Sequence, residues 1–207
     1  MVLAAGSGRR FGGPKQLAVL DGEPLVGHVV ATLLAADLEV VVVAGPFAEA
    51  VTDASRAAAA AAGHPERLAV VVNEDFRHGI GSSLAAAAQA AGPRPLVVAL
   101  ADQPGVVADD VRAVVAALAD GAEAVRILHP QGPGHPVGFG AAAHAALLAL
   151  APDDGERAPD GREPAGRHVL AGLDVVEVAV DHPRPPDIDH PDDLAAVVAS
   201  RADVPPR

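Results

Sequence analysis

Short apolar runs, each separated from the next by a segment of helical length, constrain this chain more than any other feature. They fall at residues 2–4, 39–44, 68–72, 95–101, 122–128 and 175–180. The run at 39–44 is almost entirely valine, without polar alternation, as a parallel strand buried on both faces requires. Between and after the runs, the apolar stripes predict helices over 24–35, 47–62, 82–91, 108–118, 141–150 and 191–200, with a short one over 166–171. Pro191 suits a first helical position, and Ser82 or Ser83 can cap the third helix. Such alternation predicts a three-layer, Rossmann-like α/β fold: a mostly parallel sheet with helices on both faces. Residues 122–150 leave room for an irregular or antiparallel addition, with a short extended piece at 137–139. The length of 207 residues fits one domain over 1–207. The stretch 152–164, rich in Pro, Gly and Asp, reads as a surface loop long enough to act as a lid.

In a sheet of this kind the ligand crevice lies at the C-terminal ends of the strands. Those ends supply Ala5-Gly6, Asn73, Asp102 and Asp181. The first is the opening of Leu3-Ala4-Ala5-Gly6-Ser7-Gly8-Arg9-Arg10-Phe11-Gly12-Gly13-Pro14-Lys15. Glycines let successive backbone N–H groups converge on an anion without a Cβ in the way. Arg9 and Lys15 can neutralise a polyphosphate. The run lacks the Gly-Lys-Ser/Thr of a P-loop, and its lysine-bearing loop fits a dinucleotide fingerprint poorly. Of fifteen basic residues, Lys15 is the only lysine and fourteen are arginine. A position that resists exchange to arginine needs a compact ammonium rather than a planar guanidinium; codon bias with one survivor is the plain alternative.

Asp102, in Leu100-Ala101-Asp102-Gln103-Pro104, presents a carboxylate at the mouth of a strand. It suits a phosphate-bound Mg²⁺, or it caps the next helix. Asp187-Ile188-Asp189 places two carboxylates on one side of an extended segment, with Ile188 turned inward. There Asp189 or His190 can also cap the helix from Pro191. Ser82 and Ser83 stand at a helix start, where small hydroxyls can meet ribose or phosphate. His135 lies between Gly134 and Pro136, in a stretch too irregular for simple core.

The sequence also excludes several classes. Without cysteine, disulfides, thiolate nucleophiles and cysteine metal sites are impossible. A net charge of −12 with no basic cluster beyond Arg9-Arg10 argues against nucleic acid as a partner. No run reaches the roughly 20 apolar residues of a membrane span, and no signal peptide is visible, so a cytoplasmic protein without membrane association is expected. No serine sits in a Gly-x-Ser-x-Gly elbow.

Taken together, these blocks resemble the MobA-like nucleotidyltransferases, and within them the molybdenum cofactor cytidylyltransferases. The resemblance spans nearly the whole chain. It rests on the loop from Leu3 to Lys15, on Gly81-Ser82-Ser83-Leu84, on Leu100 to Pro104, on Gly134-His135-Pro136 and on Asp187 to Asp189, in that order. It implies a nucleotide-diphospho-sugar transferase type of fold and CMP transfer from CTP to a molybdopterin-type cofactor, with release of pyrophosphate. Ala4-Ala5-Gly6 resembles the cytidine branch, where guanylyltransferases carry Ala-Gly-Gly. The closing block departs from the family's Asp-Ile-Asp-Thr-Pro-Glu-Asp, with His190 for Thr and Asp192 for Glu.

By that resemblance, Lys15, Arg9 and Asp102 are the catalytic residues. Leu3, Ala4, Ala5, Gly6, Gly8, Arg9, Lys15, Asn73, Ser82 and Ser83 would line the nucleotide site, and His135 would meet the second substrate. Asp102 and Asp189, with Asp187 as helper, would hold Mg²⁺. A molybdoenzyme or chaperone is implied as a transient partner. The competing readings are transfer to a sugar phosphate or other small phosphate, an NAD(P)H-dependent oxidoreductase of small pigments, and a non-catalytic nucleotide-binding chaperone.

Overall fold

The structure, a computed structural model, describes residues 1–152 and 166–202. A seven-stranded sheet runs in the order β5 (Leu68–Val72), β4 (Val40–Ala44), β1 (Val2–Ala4), β6 (Leu96–Leu100), β8 (Gly132–Phe139), β7 (Ala124–His129) and β9 (Val175–Ala179). Every neighbouring pair is parallel except the two that involve β8. This is the mostly parallel α/β sheet that the alternation predicts, and the nucleotide-diphospho-sugar transferase type of fold that the resemblance implies.

Strand periodicity decides which helix covers which face. Val2 and Ala4 point to one face, with Val42, Val97 and Ala99. They pack under α1 (Leu25–Ala35), α2 (Ala48–Ala61) and α4 (Ala108–Ala119) through Val29, Leu33, Val51, Val111 and Val114. Leu3 and Ala5 point to the other face, with Val43 and Val98. They pack under α3 (Ile80–Ala91), α5 (His144–Leu148) and α6 (Gly166–Leu170) through Leu84, Leu147 and Val169. Each such Val or Leu contributes about 1.5–3 kcal/mol by leaving water.

The extended piece expected at 137–139 is a full strand of eight residues. Its two glycines and two prolines at 132–136 hide it from any propensity reading. The pairings Arg126↔Val137 and Ile127↔Gly134 leave His135 and Pro136 unmatched, so the prolines stand in and beside a bulge, where a ladder donor is not needed. The helix expected over 141–150 is a 3-10 turn, Ala141–Ala143, followed by the short α5. A small hairpin, β2 (Val19–Leu20) with β3 (Glu23–Pro24), precedes α1. The closing helix α7 (Pro191–Ala202) stands over it, with Leu20, Leu25 and Ile188 fully buried between. The loop expected at 152–164 lies, beyond Pro152, outside the described residues. Among those residues, no helix is long and apolar enough to cross a membrane.

Candidate active site

The strand order reverses at β1, with β4 on one side and β6 on the other. A crevice must open at this point, because the loops leaving neighbouring strands diverge. Here the glycine loop leaves β1. Gly12 and Gly13 donate backbone N–H bonds to the Gly8 carbonyl, at 3.0 and 3.2 Å. Gly8 has φ +63°, and a Cβ there would lie 1.7 Å from the Gly13 oxygen. Its glycine is therefore demanded by the loop's own closure. Gly6 differs: a Cβ would meet nothing within 4 Å.

The chain then enters a 3-10 turn, Lys15–Leu17. This turn aims Lys15 across the crevice at two carboxylates from distant parts of the chain. Its ammonium stands 2.5 Å from Asp102 Oδ2 and 2.6 Å from Asp189 Oδ1. Asp102 follows β6, and the backbone N–H of Ile188 donates to the Asp102 carbonyl at 3.0 Å. Asp189 also accepts from Arg10 at 2.8 Å. Burial alone would lower the Lys15 pKa; its hydrogen bonds and charge interactions with Asp102 and Asp189 outweigh this and raise it. The Lys15 hydrogen bond holds the Asp189 carboxyl below its ordinary range.

Asp193 caps α7 by accepting from the backbone N–H groups of His190 and Asp189, at 2.6 and 2.9 Å. This is the reach-back half of a capping box, and the two hydrogen bonds lower the Asp193 pKa. Asp189 is thereby left to face Lys15. Asp187 accepts a hydrogen bond from Gln103 Nε2 instead. The three expected carboxylates thus divide: two meet one cation, while the third turns to Gln103. Among the described residues no group of three His, Asp or Glu is placed to hold a metal by itself.

Two clefts meet over the ends of β1 and β6. The first, about 520 Å³, is lined by Leu3, Ala4, Ala5, Gly6, Arg9, Lys15, Ser83 and Asp102. Among the described residues Arg9 makes no ion pair, and it is exposed. The first turn of α3 borders this cleft through Ile80 and Ser83. Asn73 and Ser82 stand behind the wall. Asn73 Nδ2 donates to Ser82 Oγ at 2.9 Å and to Ser83 Oγ at 3.0 Å, while Ser82 donates onward to the Asp75 and Gly79 carbonyls. Their polar atoms brace the 73–79 loop.

The second cleft, about 580 Å³, shares Leu3, Ile80 and Leu100 with the first. Leu84, Val98, Val137 and Phe139 make its floor, and Arg126, Arg167 and Arg184 stand around it. His135, Gln103 and Asp187 line it where it approaches the first cleft. Burial lowers the His135 pKa, although the charges of Asp187 and Asp102 act to raise it. The ring is therefore neutral near pH 7.

Several site residues escape a sequence reading. Gln16, almost fully buried, donates to the carbonyls of Ala4 and Gly6, both at 3.1 Å, and so fixes where β1 turns into the loop. A glutamine beside the single lysine was the available signal. Arg10 and Gln103 stand inside motifs the sequence shows, but their partners Asp189 and Asp187 do not follow from it; the three arginines of the second cleft carry no signal, because each acquires its place from long-range packing.

A cleft of this kind, at the strand-order reversal of an α/β sheet and with a glycine loop, suits an anionic ligand. Residues 1–169 match the MobA-like NTP transferase domain, and the chain belongs to that family of nucleotidyltransferases. It is similar to a solved Mycobacterium sp. strain JC1 homologue of Mycobacterium tuberculosis Rv0371c: 30% identity over 97% of this chain and 94% of that one, with a TM-score of 0.74. It is also similar to M. tuberculosis Rv0371c in complex with manganese, at 29% identity over 96% of each chain and a TM-score of 0.66. Nicotine blue oxidoreductase of Paenarthrobacter nicotinovorans is 41% identical over 109 residues, 51% of this chain. That match spans 50% of the length of this curated relative.

Proposed function

We propose that this chain transfers CMP from CTP to a molybdopterin-type cofactor and releases pyrophosphate. One observation carries the reading: a cleft lined by the glycine loop, Lys15 and Asp102, with Asp189 on the same ammonium, shares Leu3, Ile80 and Leu100 with a second, arginine-rimmed apolar cleft. A donor and an acceptor held in such neighbouring clefts have their reacting groups brought together.

In this reading Gly6 and Gly8 place backbone amides against the triphosphate, aided by the first turn of α3. Ser83 meets the nucleotide, while Asn73 and Ser82 hold Ser83 and the 73–79 loop in place. Leu3, Ala4 and Ala5 border the base, and the Ala5 methyl takes space that a glycine would leave to a larger purine. Arg9 and Lys15 neutralise the phosphates. The terminal phosphate of the acceptor already carries a nucleophilic oxygen, which attacks the α-phosphorus; the bond to the bridging oxygen breaks and pyrophosphate departs. No side-chain nucleophile or base is needed, so alignment and charge neutralisation are the protein's work. Neutral His135 orients the acceptor.

The donor set fits a divalent cation, since two carboxylates already converge on one positive centre. Asp102 and Asp189 would hold Mg²⁺, with Asp187 as helper, and the ion would offset charge on the phosphates. That the similar Rv0371c protein forms a complex with manganese supports a divalent cation in a chain of this kind.

The test is pyrophosphate release with purified molybdenum cofactor, comparing CTP with GTP and including sugar phosphates as acceptors. Release dependent on that cofactor and favouring CTP supports the reading; equal turnover with a sugar phosphate reassigns the acceptor. A second reading, NAD(P)H-dependent reduction of a small pigment, is favoured by the similarity to nicotine blue oxidoreductase. NADPH oxidation without pyrophosphate release would select it.

A further inference from the structure

Lys15 stands where a cation held by Asp102 and Asp189 would have to stand. Its ammonium is 2.5 Å from one carboxylate oxygen and 2.6 Å from the other. A divalent ion bound by the same two oxygens would require that space, and two cations there would repel strongly at such range. We propose that Lys15 is an exchangeable occupant of the divalent-cation position. It neutralises the carboxylate pair while the crevice is empty, and it leaves for the phosphates when nucleotide and cation arrive. The inference rests on the metal-assisted reading above and adds a binding order to it.

Charge favours such an exchange. With Lys15 between them, and with Arg10 on the outer oxygen of Asp189, the two carboxylates are already matched by two cations. A divalent ion arriving alone must evict the ammonium into a crevice that also holds Arg9, with no phosphate there to receive it. A triphosphate reverses this balance, because it gives Lys15 a new partner and brings more negative charge than one divalent ion offsets. Lys15 borders the same cleft as Gly6 and Arg9, so the lysine can swing between partners while the backbone stays in place. Two protein carboxylates are also too few to satisfy a small divalent ion, which takes its remaining oxygens from phosphate and water. Cation and nucleotide therefore bind cooperatively, each removing an obstacle to the other.

Such an exchange calls for a lysine, where phosphate binding alone would accept either cation. A guanidinium would bind both carboxylates bidentately and more rigidly, resisting eviction. A single ammonium on a flexible stem can be exchanged.

The experiment titrates Mn²⁺ alone, by calorimetry and by the electron spin resonance of free Mn²⁺, into the full chain and two variants. Lys15→Met keeps most of the stem and removes the ammonium; it should bind Mn²⁺ about tenfold tighter than the unmodified chain. Arg10→Met removes a cation from the same Asp189, but from its exposed outer side, and should change the affinity by less than about threefold. Unchanged or weaker binding by Lys15→Met overturns the proposal. Equal tightening by both variants also overturns it, because simple loss of positive charge would then suffice.

A readout on the unmodified chain guards against misfolding of the variants. Lys15 is the only lysine, so lysine labelled at Nζ gives one side-chain nitrogen signal by magnetic resonance. Adding Mg²⁺ alone should leave that signal in place. Mg²⁺ with inorganic tripolyphosphate should shift it, and a shift with Mg²⁺ alone would contradict the exchange. None of these readouts requires turnover, so failure to transfer CMP would defeat the proposed function without altering their result.

Discussion

The backbone N–H of Ile188 donates to the Asp102 carbonyl at 3.0 Å, joining the end of β6 to a segment near the far end of the chain. This bond sets the separation of Asp102 and Asp189 before any ligand is present. The Ile188 side chain, fully buried against Leu20 and Leu25, fixes it from below.

Ile188→Ala should therefore destabilise the fold by about 3 kcal/mol, the cost of deleting a buried branched side chain. Urea unfolding measures it. Turnover should fall as well, because Asp189 loses its anchor. A stability loss below about 1 kcal/mol would mean the segment is held by other contacts.

Gly6 and Gly8 should behave differently although both belong to the loop. A methyl at Gly6 meets no protein atom within 4 Å, whereas at Gly8 it would collide with the Gly13 carbonyl at +63° in φ. Gly6→Ala should leave the melting temperature nearly unchanged while weakening triphosphate binding, because its methyl enters the space an anion needs. Gly8→Ala should cost about 1–3 kcal/mol of stability. Differential scanning fluorimetry with and without CTP separates the two.

Asp102→Asn keeps the shape of the side chain and removes its charge. Cation-dependent pyrophosphate release should fall about a hundredfold or more, with the Mg²⁺ dependence displaced to higher concentration. Asp187→Asn, which keeps the group facing Gln103, should have a smaller effect. Indistinguishable Mg²⁺ titrations for Asp102→Asn and the unmodified chain would remove Asp102 from the site.

The Lys15–Asp189 link has a defined pH window. Asp189 titrates below its ordinary 3.8 in the folded chain, so its contribution is present above 3.8 and is lost as the pH falls through the lowered value. Lys15 titrates above its ordinary 10.5, so its contribution is present below 10.5 and is lost as the pH rises through the raised value. The difference in Tm between the unmodified chain and Lys15→Met should be level from about pH 5 to about pH 9 and shrink in stronger acid. Thermal unfolding followed by circular dichroism reads it.

Much of this was legible in the sequence because its signals are local. The valine run at 39–44 predicts a buried parallel strand, and β4 is one. Loop glycines and strand-end carboxylates likewise announce themselves by type and spacing. β8 was only partly legible, since its pairing with β6 and β7 overrides the poor strand propensity of Gly132-Pro133-Gly134. The hairpin of β2 and β3 is too short to leave a periodic pattern. In the site, Lys15, Asp102 and Asp189 could each be singled out, but their convergence depends on the Ile188 anchor and the reach-back cap of Asp193. The division of Asp187 from Asp189 could not be read from their i, i+2 spacing. Side chains on one side of a segment can still take partners in different clefts, and only the packed neighbours decide.

Pyrophosphate release from CTP in the presence of Mg²⁺ and purified molybdenum cofactor tests the central claim most directly. The account predicts release that needs all three components, exceeds that with GTP, and falls about a hundredfold or more in Lys15→Ala. Full release by Lys15→Ala, or NADPH oxidation with no pyrophosphate from any nucleotide, would contradict it.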